Sequence, residues 1–284
     1  MKIGMIKKIF TISVISIMSL SLVACGGSEA KTEGIEQTST KVEVNKDVQR
    51  IKDKGKLVVG LSADYAPYEF HKIIDGKDEI VGFDVEIAKE IAKDLGVQLE
   101  IKDMDFNTLV GSLPAGKIDL IISGMSPTPE RAEAVDFSDI YYTATHGILV
   151  KAENKDKYKT LDDFAGKKIG AQMGSIQADL AKNEIKNVDL KLLSDVNNLI
   201  MELKSGKIDG LAVELPVAEM AMKGNTDLIL STPQLEDNEG GSAVAIKKGS
   251  KGLVKQVNET IKRLQDSGKI DEFVVKAQQL AHEQ

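Results

Sequence analysis

An eleven-residue pattern occurs twice in this chain at an offset of 90, and that recurrence restricts the fold more than any other feature. LVGSLPAGKID at 109–119 returns as LIMELKSGKID at 199–209. Each copy reads as the end of a helix, a Gly-Lys turn and the start of a buried strand. A fainter echo precedes both, GKLVVG at 55–60 and GKKIG at 166–170. A turn signature of this kind also recurs by chance in α/β proteins. With the echo, the pattern predicts an α/β chain of two lobes, each opening on a strand and continuing β-α-β.

The intervening segments fit that plan. Ile87, Ala88, Ile91, Ala92 and Leu95 recur at helical spacing and stop at Gly96, a helix-ending residue. Residues 97–101 then alternate like a strand. In the second half the pattern predicts a helix over 176–185, a strand over 190–193 and a helix over 195–203. Two amphipathic helices are expected over 253–264 and 270–280.

The repeat also points to a cleft. Gly124 and Glu214 each stand five residues past the Asp of Gly-Lys-Ile-Asp. In open α/β sheets, ligands sit beyond the carboxyl ends of strands. There the apolar run 118–122 leads into SGMSPTPER at 123–131, with Thr128 suited to an N-cap, Pro129 to the first helical position and Glu130 to the first turn. Free amides and hydroxyls beside the guanidinium of Arg131 suit a small carboxylate. The same spacing also fits a surface arginine that only helps cap the helix. On the facing lobe, Glu214 offers an acid to a cation, or serves as a helix-start acid favoured by the dipole. Facing lobes would give one wall that prefers an anion and one that prefers a cation. A zwitterion meets both demands.

Composition narrows the class further. The first 24 residues carry Lys2, Lys7 and Lys8, no acid, and an apolar stretch broken only by Ser and Thr. This predicts a secretory signal, too short and Ser-rich for a membrane span. LVACG at 22–26 resembles the bacterial lipobox, in which the cysteine becomes the lipidated N-terminus, so lipidation is expected at Cys25. Cys25 is the only cysteine, which excludes an internal disulfide and a thiol nucleophile in the mature domain. Residues 25–47 read as a disordered tether rich in Gly, Ser, Thr, Glu and Lys. The remaining length, about 235 residues, is enough for two modest domains. The net charge is −7 and the leader takes three lysines with it, which argues against nucleic acid and against broad contact with anionic lipid. His71, His146 and His282 are scattered, without metal-binding spacing, and no carboxylate pair suggests acid/base work. No cofactor and no metal is expected.

These residues resemble the extracytoplasmic solute-binding proteins of polar amino acid ABC importers. The resemblance covers 48–279. It rests on SADYAPYEF at 62–70, GFD at 82–84, DF at 105–106, GKID at 116–119, the 123–131 segment, DFS at 136–138, GS at 174–175 and ELPVA at 214–218. It implies a two-lobed periplasmic-binding-protein-like (type II) α/β fold with two hinge crossings, outward near 144–150 and back near 238–245. Lobe one would comprise 48–146 and 240–284, with the C-terminal helices packed on it, and lobe two 147–239.

By the same resemblance, Arg131 pairs with an amino acid α-carboxylate. Ser126 gives its amide to that carboxylate and its hydroxyl to the α-amine, and the Gly124 carbonyl accepts from the amine. Ser123 belongs to the same turn. The helix start at Ser175 and Ile176 completes the carboxylate site, while Glu214 matches an acid, often Asp, that receives the ammonium. Tyr65 and Phe106 match aromatics that flank the ligand side chain. Relatives that bind basic amino acids often carry an acid where this chain has Ser62. Here the nearby acids are Asp64 and Glu69, and Gln172 is a further candidate for reading the side-chain end. An inward acid favours a cationic ligand; otherwise glutamine or another neutral polar amino acid fits. The implied function is non-enzymatic, with no catalytic residue. A monomer held to the outer face of the cytoplasmic membrane only by its lipid captures a basic or amide amino acid for an ABC permease and ATPase. A dehydratase or a sensor module on the same fold are the alternatives.

Overall fold

The computed structural model describes residues 46–237 and 240–282; the predicted signal, Cys25 and residues 25–45 of the expected tether lie outside them. The strands are β1 (Lys56–Leu61), β2 (Asp64–Tyr65), β3 (Glu69–Ile74), β4 (Lys77–Val81), β5 (Gln98–Asp103), β6 (Leu120–Ile121), β7 (Val135–Tyr142), β8 (His146–Lys151), β9 (Lys168–Gln172), β10 (Asp189–Leu193), β11 (Gly210–Glu214), β12 (Leu228–Leu235) and β13 (Ser242–Lys247). The α-helices are α1 (Lys46–Lys54), α2 (Phe83–Leu95), α3 (Phe106–Ser112), α4 (Pro129–Ala134), α5 (Ile176–Glu184), α6 (Val196–Lys204), α7 (Leu215–Gly224), α8 (Lys251–Asp266) and α9 (Lys269–His282). None of the described helices is long and apolar enough to cross a membrane.

The repeat is visible as packing. The Asp119 amide donates to the Val58 carbonyl at 2.7 Å, and the Asp119 carboxylate takes the Val58 amide at 2.9 Å. Asp209 does the same with Lys168, at 2.7 and 3.0 Å. A Cβ at Gly60 would lie 2.6 Å from Ile118 and 3.1 Å from Leu109; at Gly170 it would lie 2.6 Å from Ile208 and 3.0 Å from Leu199. The recurring Gly, Leu, Ile and Asp therefore lock a helix end and a new strand onto the first strand of each half.

Two sheets result, ordered β5-β1-β6-β13-β7 and β10-β9-β11-β8-β12. In each, the first three strands run parallel and the remaining two pairings are antiparallel. A small meander of β2, β3 and β4 accompanies the first sheet. Tyr142 still pairs with Ser242 in the first sheet, while His146 already pairs with Glu214 in the second. The chain thus passes between sheets over 143–145 and returns between Leu235 and Ser242.

Two details differ from expectation. Helix α1 starts two residues inside the predicted tether, because Val48 and Ile51 are buried and the Asp47 carboxylate takes the Ser250 hydroxyl at 2.6 Å. Helix α9 packs on α2 and also on α7, through Ile270, Val274 and Ala277. The C-terminal helix thereby touches elements on both sides of the cleft.

Candidate functional site

The wall built on the first sheet starts where β6 ends. The Ser123 hydroxyl accepts the Ser62 amide at 3.1 Å and donates to Glu69. Gly124 has φ +53°, and a Cβ there would stand 3.3 Å from the Tyr68 ring, so glycine both permits the turn and clears the aromatic. The Thr128 hydroxyl caps α4 by accepting the Arg131 amide at 3.2 Å. Arg131 then lies along the cleft. Its Nη1 donates to the Ser126 carbonyl and its Nη2 to the Gly174 carbonyl of the opposite wall, both at 2.8 Å. The guanidinium carbon sits 5.4 Å from the centroid of the buried Phe106 ring, a cation–π contact.

The opposite wall is made by the ends of β9 and β11. Ser175 caps α5, its hydroxyl accepting the Ala178 amide at 3.3 Å. Its own amide, expected to help hold a carboxylate, donates to the Gln172 carbonyl at 3.1 Å in a tight turn. The Ile176 and Gln177 amides are the first-turn donors left without a helical acceptor. Gly174, at φ +81°, lets the walls touch: a Cβ there would lie 3.1 Å from Asn107. Glu214 is buried at the N-cap of α7. Its carboxylate accepts the Tyr68 hydroxyl and its amide donates to the Tyr65 hydroxyl at 3.4 Å. Burial pushes its carboxyl up to about 8; the Tyr68 bond opposes this and the charges of Asp84 and Asp237 add to it.

Beneath the first wall lies an acid pair. Glu69 and Asp84 are fully buried. Asp84 Oδ2 accepts the Gly124 amide at 2.8 Å and the Tyr141 hydroxyl at 2.9 Å, and Glu69 accepts the Ser123 hydroxyl. The other oxygen of each, Glu69 Oε2 and Asp84 Oδ1, meets no donor from another group, and the two carboxyls hydrogen-bond to each other when Glu69 keeps its proton. Burial, then the charge of Asp84, pushes Glu69 well above the usual carboxylate range, and burial raises Asp84 to about 6. Two such groups ionise together only if a cation joins them.

A residual void of about 10 Å³ is lined by Ser62, Tyr65, Glu69, Phe106, Ser123, Gly124, Gln172, Ser175 and Gln177. That volume is on the order of one water, so an amino acid enters only when the walls part. Eight of the residues singled out from sequence meet there. Ser126, Ile176, Arg131 and Glu214 adjoin them through the bonds above or the chain itself.

Asp64 does not border this void. It faces a larger crevice of about 620 Å³, which also touches His71, Asp195, Met220 and His282. Its carboxylate accepts the Val196 amide at 2.6 Å, Gln172 Nε2 at 3.1 and 3.3 Å, and the Ser62 hydroxyl at 2.8 Å. Burial raises it to about 6, against the lowering effect of the Val196 and Ser62 bonds.

His146, placed by sequence in the crossing region, is buried. Its Nδ1 faces the Gln177 amide nitrogen at 3.2 Å, which leaves Nε2 to donate to Asp237 at 3.3 Å. Burial lowers its pKa and Asp237 opposes the shift. Tyr68, Asp84 and Gln177 were not foreseen as part of the site. Tyr68 and Asp84 sit inside quoted motifs, but nothing local shows where they point. Among the described residues no group of His, Cys, Asp or Glu could hold a metal ion.

Residues 57–277 match the family described as bacterial extracellular solute-binding proteins, family 3. The arginine-binding extracellular protein ArtP of Bacillus subtilis (strain 168) is 38% identical over 273 residues, covering 94% of this chain and 96% of that protein. A probable histidine-binding protein of Campylobacter jejuni subsp. jejuni serotype O:2 is 30% identical over 270 residues, covering 95% and 98%. The crystal structure of the amino acid ABC transporter substrate-binding protein AbpA from Streptococcus pneumoniae Canada MDR_19A, bound to L-arginine, superposes with a TM-score of 0.81. It is 44% identical and covers 83% of this chain and all of that one.

Proposed function

The chain belongs to the bacterial extracellular solute-binding proteins of family 3, and from that premise we propose that its cleft captures L-arginine, or a similarly cationic free amino acid, for an ABC permease. The observation that carries the cationic reading is the buried Glu69–Asp84 pair, two acids held by neutral donors and by one shared proton, with Glu69 bordering the void. A guanidinium supplies the positive charge that this pair lacks and donors that replace the shared proton. Arginine-binding relatives lend support.

The α-carboxylate docks on Arg131, where a charged acceptor outcompetes the carbonyls that guanidinium otherwise meets. Ser126 and the Ile176 amide adjoin it. The ammonium goes to the Gly124 carbonyl and to Glu214, which ionises as the new cation arrives. Tyr65 and Phe106 flank the alkyl stem, and the side-chain end lies toward Glu69, Ser62 and Gln172. Bonds to both walls form only when the lobes meet, and that differential affinity drives closure about the two crossings. A lipid on Cys25 and the tether behind it would keep this monomeric domain at the outer face of the membrane.

Calorimetry with L-arginine, L-citrulline and L-glutamine tests the reading. Arginine should bind at least 100-fold tighter than citrulline, its neutral near-isostere, and E69Q should remove most of that preference. Because the cation displaces a proton from the acid pair, arginine affinity should rise from pH 6 to pH 8. Equal affinity for arginine and citrulline would overturn the cationic assignment.

A further inference from the structure

We propose that Asp64 is a positioning residue that reaches across the cleft, holds the second lobe against the first, and turns Ser62 and Gln172 into hydrogen-bond acceptors for the ligand side chain. The proposal deepens the cationic reading above and rests on it for its specificity half.

Asp64 belongs to the first lobe, where β2 pairs it with Phe70. Val196 and Gln172 belong to the second, at the start of α6 and the end of β9. The α6 cap, Asp195, takes the Asn198 amide at 2.7 Å, which leaves the Val196 amide for a partner from outside the helix. Asp64 supplies it at 2.6 Å from a position 132 residues away. Removing Asp64 strands a part-buried amide in the closed arrangement alone, so the closed state bears the cost.

The second consequence concerns polarity. Gln172 Nε2 meets Asp64 at 3.1 and 3.3 Å and the Ser194 carbonyl at 3.1 Å. Both partners only accept, so the amide nitrogen must face them and Oε1 is the end left for the void that Gln172 borders. The Ser62 hydroxyl likewise gives its single proton to Asp64 at 2.8 Å, leaving lone pairs for anything else it meets. Without Asp64, both groups are ambivalent and can donate or accept. With it, they join Glu69 as acceptors, which fits a guanidinium and disfavours a ligand that ends in a carbonyl.

Stopped-flow binding and calorimetry on D64A and D64N, each checked for an unchanged melting profile, provide the test with arginine and citrulline. The arginine-to-citrulline affinity ratio should fall at least tenfold in D64A, because citrulline's ureido oxygen can use the freed donors. Dissociation should quicken for both ligands. In an S62A/Q172L background, D64A should no longer move the ratio but should still quicken dissociation. An unchanged ratio and unchanged dissociation in D64A overturn the proposal, as does an undiminished effect on the ratio in the S62A/Q172L background. Should the wild-type protein bind both ligands equally, the cationic reading fails on its own, and the dissociation rates alone decide the cross-cleft role of Asp64.

Discussion

The two lobes share a sheet order, a helix-turn-strand repeat and the same Gly–Ile–Asp lock, yet their chemistry differs in one respect. The first lobe holds its polar apparatus permanently. Arg131, the 123–126 turn and the Glu69–Asp84 pair all lie on it, and the acid pair is bonded only to residues of that lobe. The second lobe supplies Glu214, the α5 start and the α6 start, whose partners Tyr68, Tyr65, Arg131 and Asp64 come from across the cleft. On the proposed function, one plan serves as a docking surface in the first lobe and as a clamp in the second. Ligand affinity should reside mainly in the first, and residence time in the second.

The sharpest way to break this contrast is R131A. Removing the carboxylate's charged partner should weaken arginine binding by at least ~3 kcal/mol and depress its association rate, since docking itself is lost. Retained affinity in calorimetry would dismiss Arg131 from the head-group site.

A second comparison uses pH. Glu69 and Asp84 take their partners from the first lobe alone, and their folded pKa values lie above the unfolded ones. The folded protein then holds more protons than the unfolded chain, so its stability falls as pH rises from about 4 through 6 and beyond. E69Q should flatten this dependence, gaining unfolding free energy relative to the wild type at pH 8 but not at pH 5, as read from denaturant titrations without ligand. A parallel pH dependence in both proteins would show that the acid pair does not hold a proton.

E214Q should have the smallest of these effects. Its raised pKa arises from burial between the lobes, and opening the cleft relieves it, so ligand-free stability should hardly respond. Arginine affinity should drop about tenfold, or ~1.4 kcal/mol, through faster dissociation with association nearly unchanged. A large fall in association would erase the distinction between dock and clamp.

Much of the architecture was legible because the repeat is local. Leu109, Ile118 and Asp119 carry their packing roles in sequence spacing, and Leu199, Ile208 and Asp209 restate them. The equivalence of Gly124 and Glu214 followed from that spacing alone. Contacts between distant segments were not legible. Glu69 meets Asp84 only because β3 and the start of α2 both lie under the Ser123–Gly124 turn. Asp64 was a candidate ligand contact by proximity to Ser62, and its bonds to Val196 and Gln172 depend on how two lobes meet. Ser175 likewise looked like an amide donor, but the tightness of the turn after β9 directs its amide to Gln172.

A crystal structure with L-arginine would show which wall receives each end of the ligand. The α-carboxylate should lie on Arg131, the ammonium on Glu214 and the guanidinium within hydrogen-bonding distance of Glu69. A ligand lying in the opposite direction, or bound in the larger crevice beside Asp64, would contradict that placement.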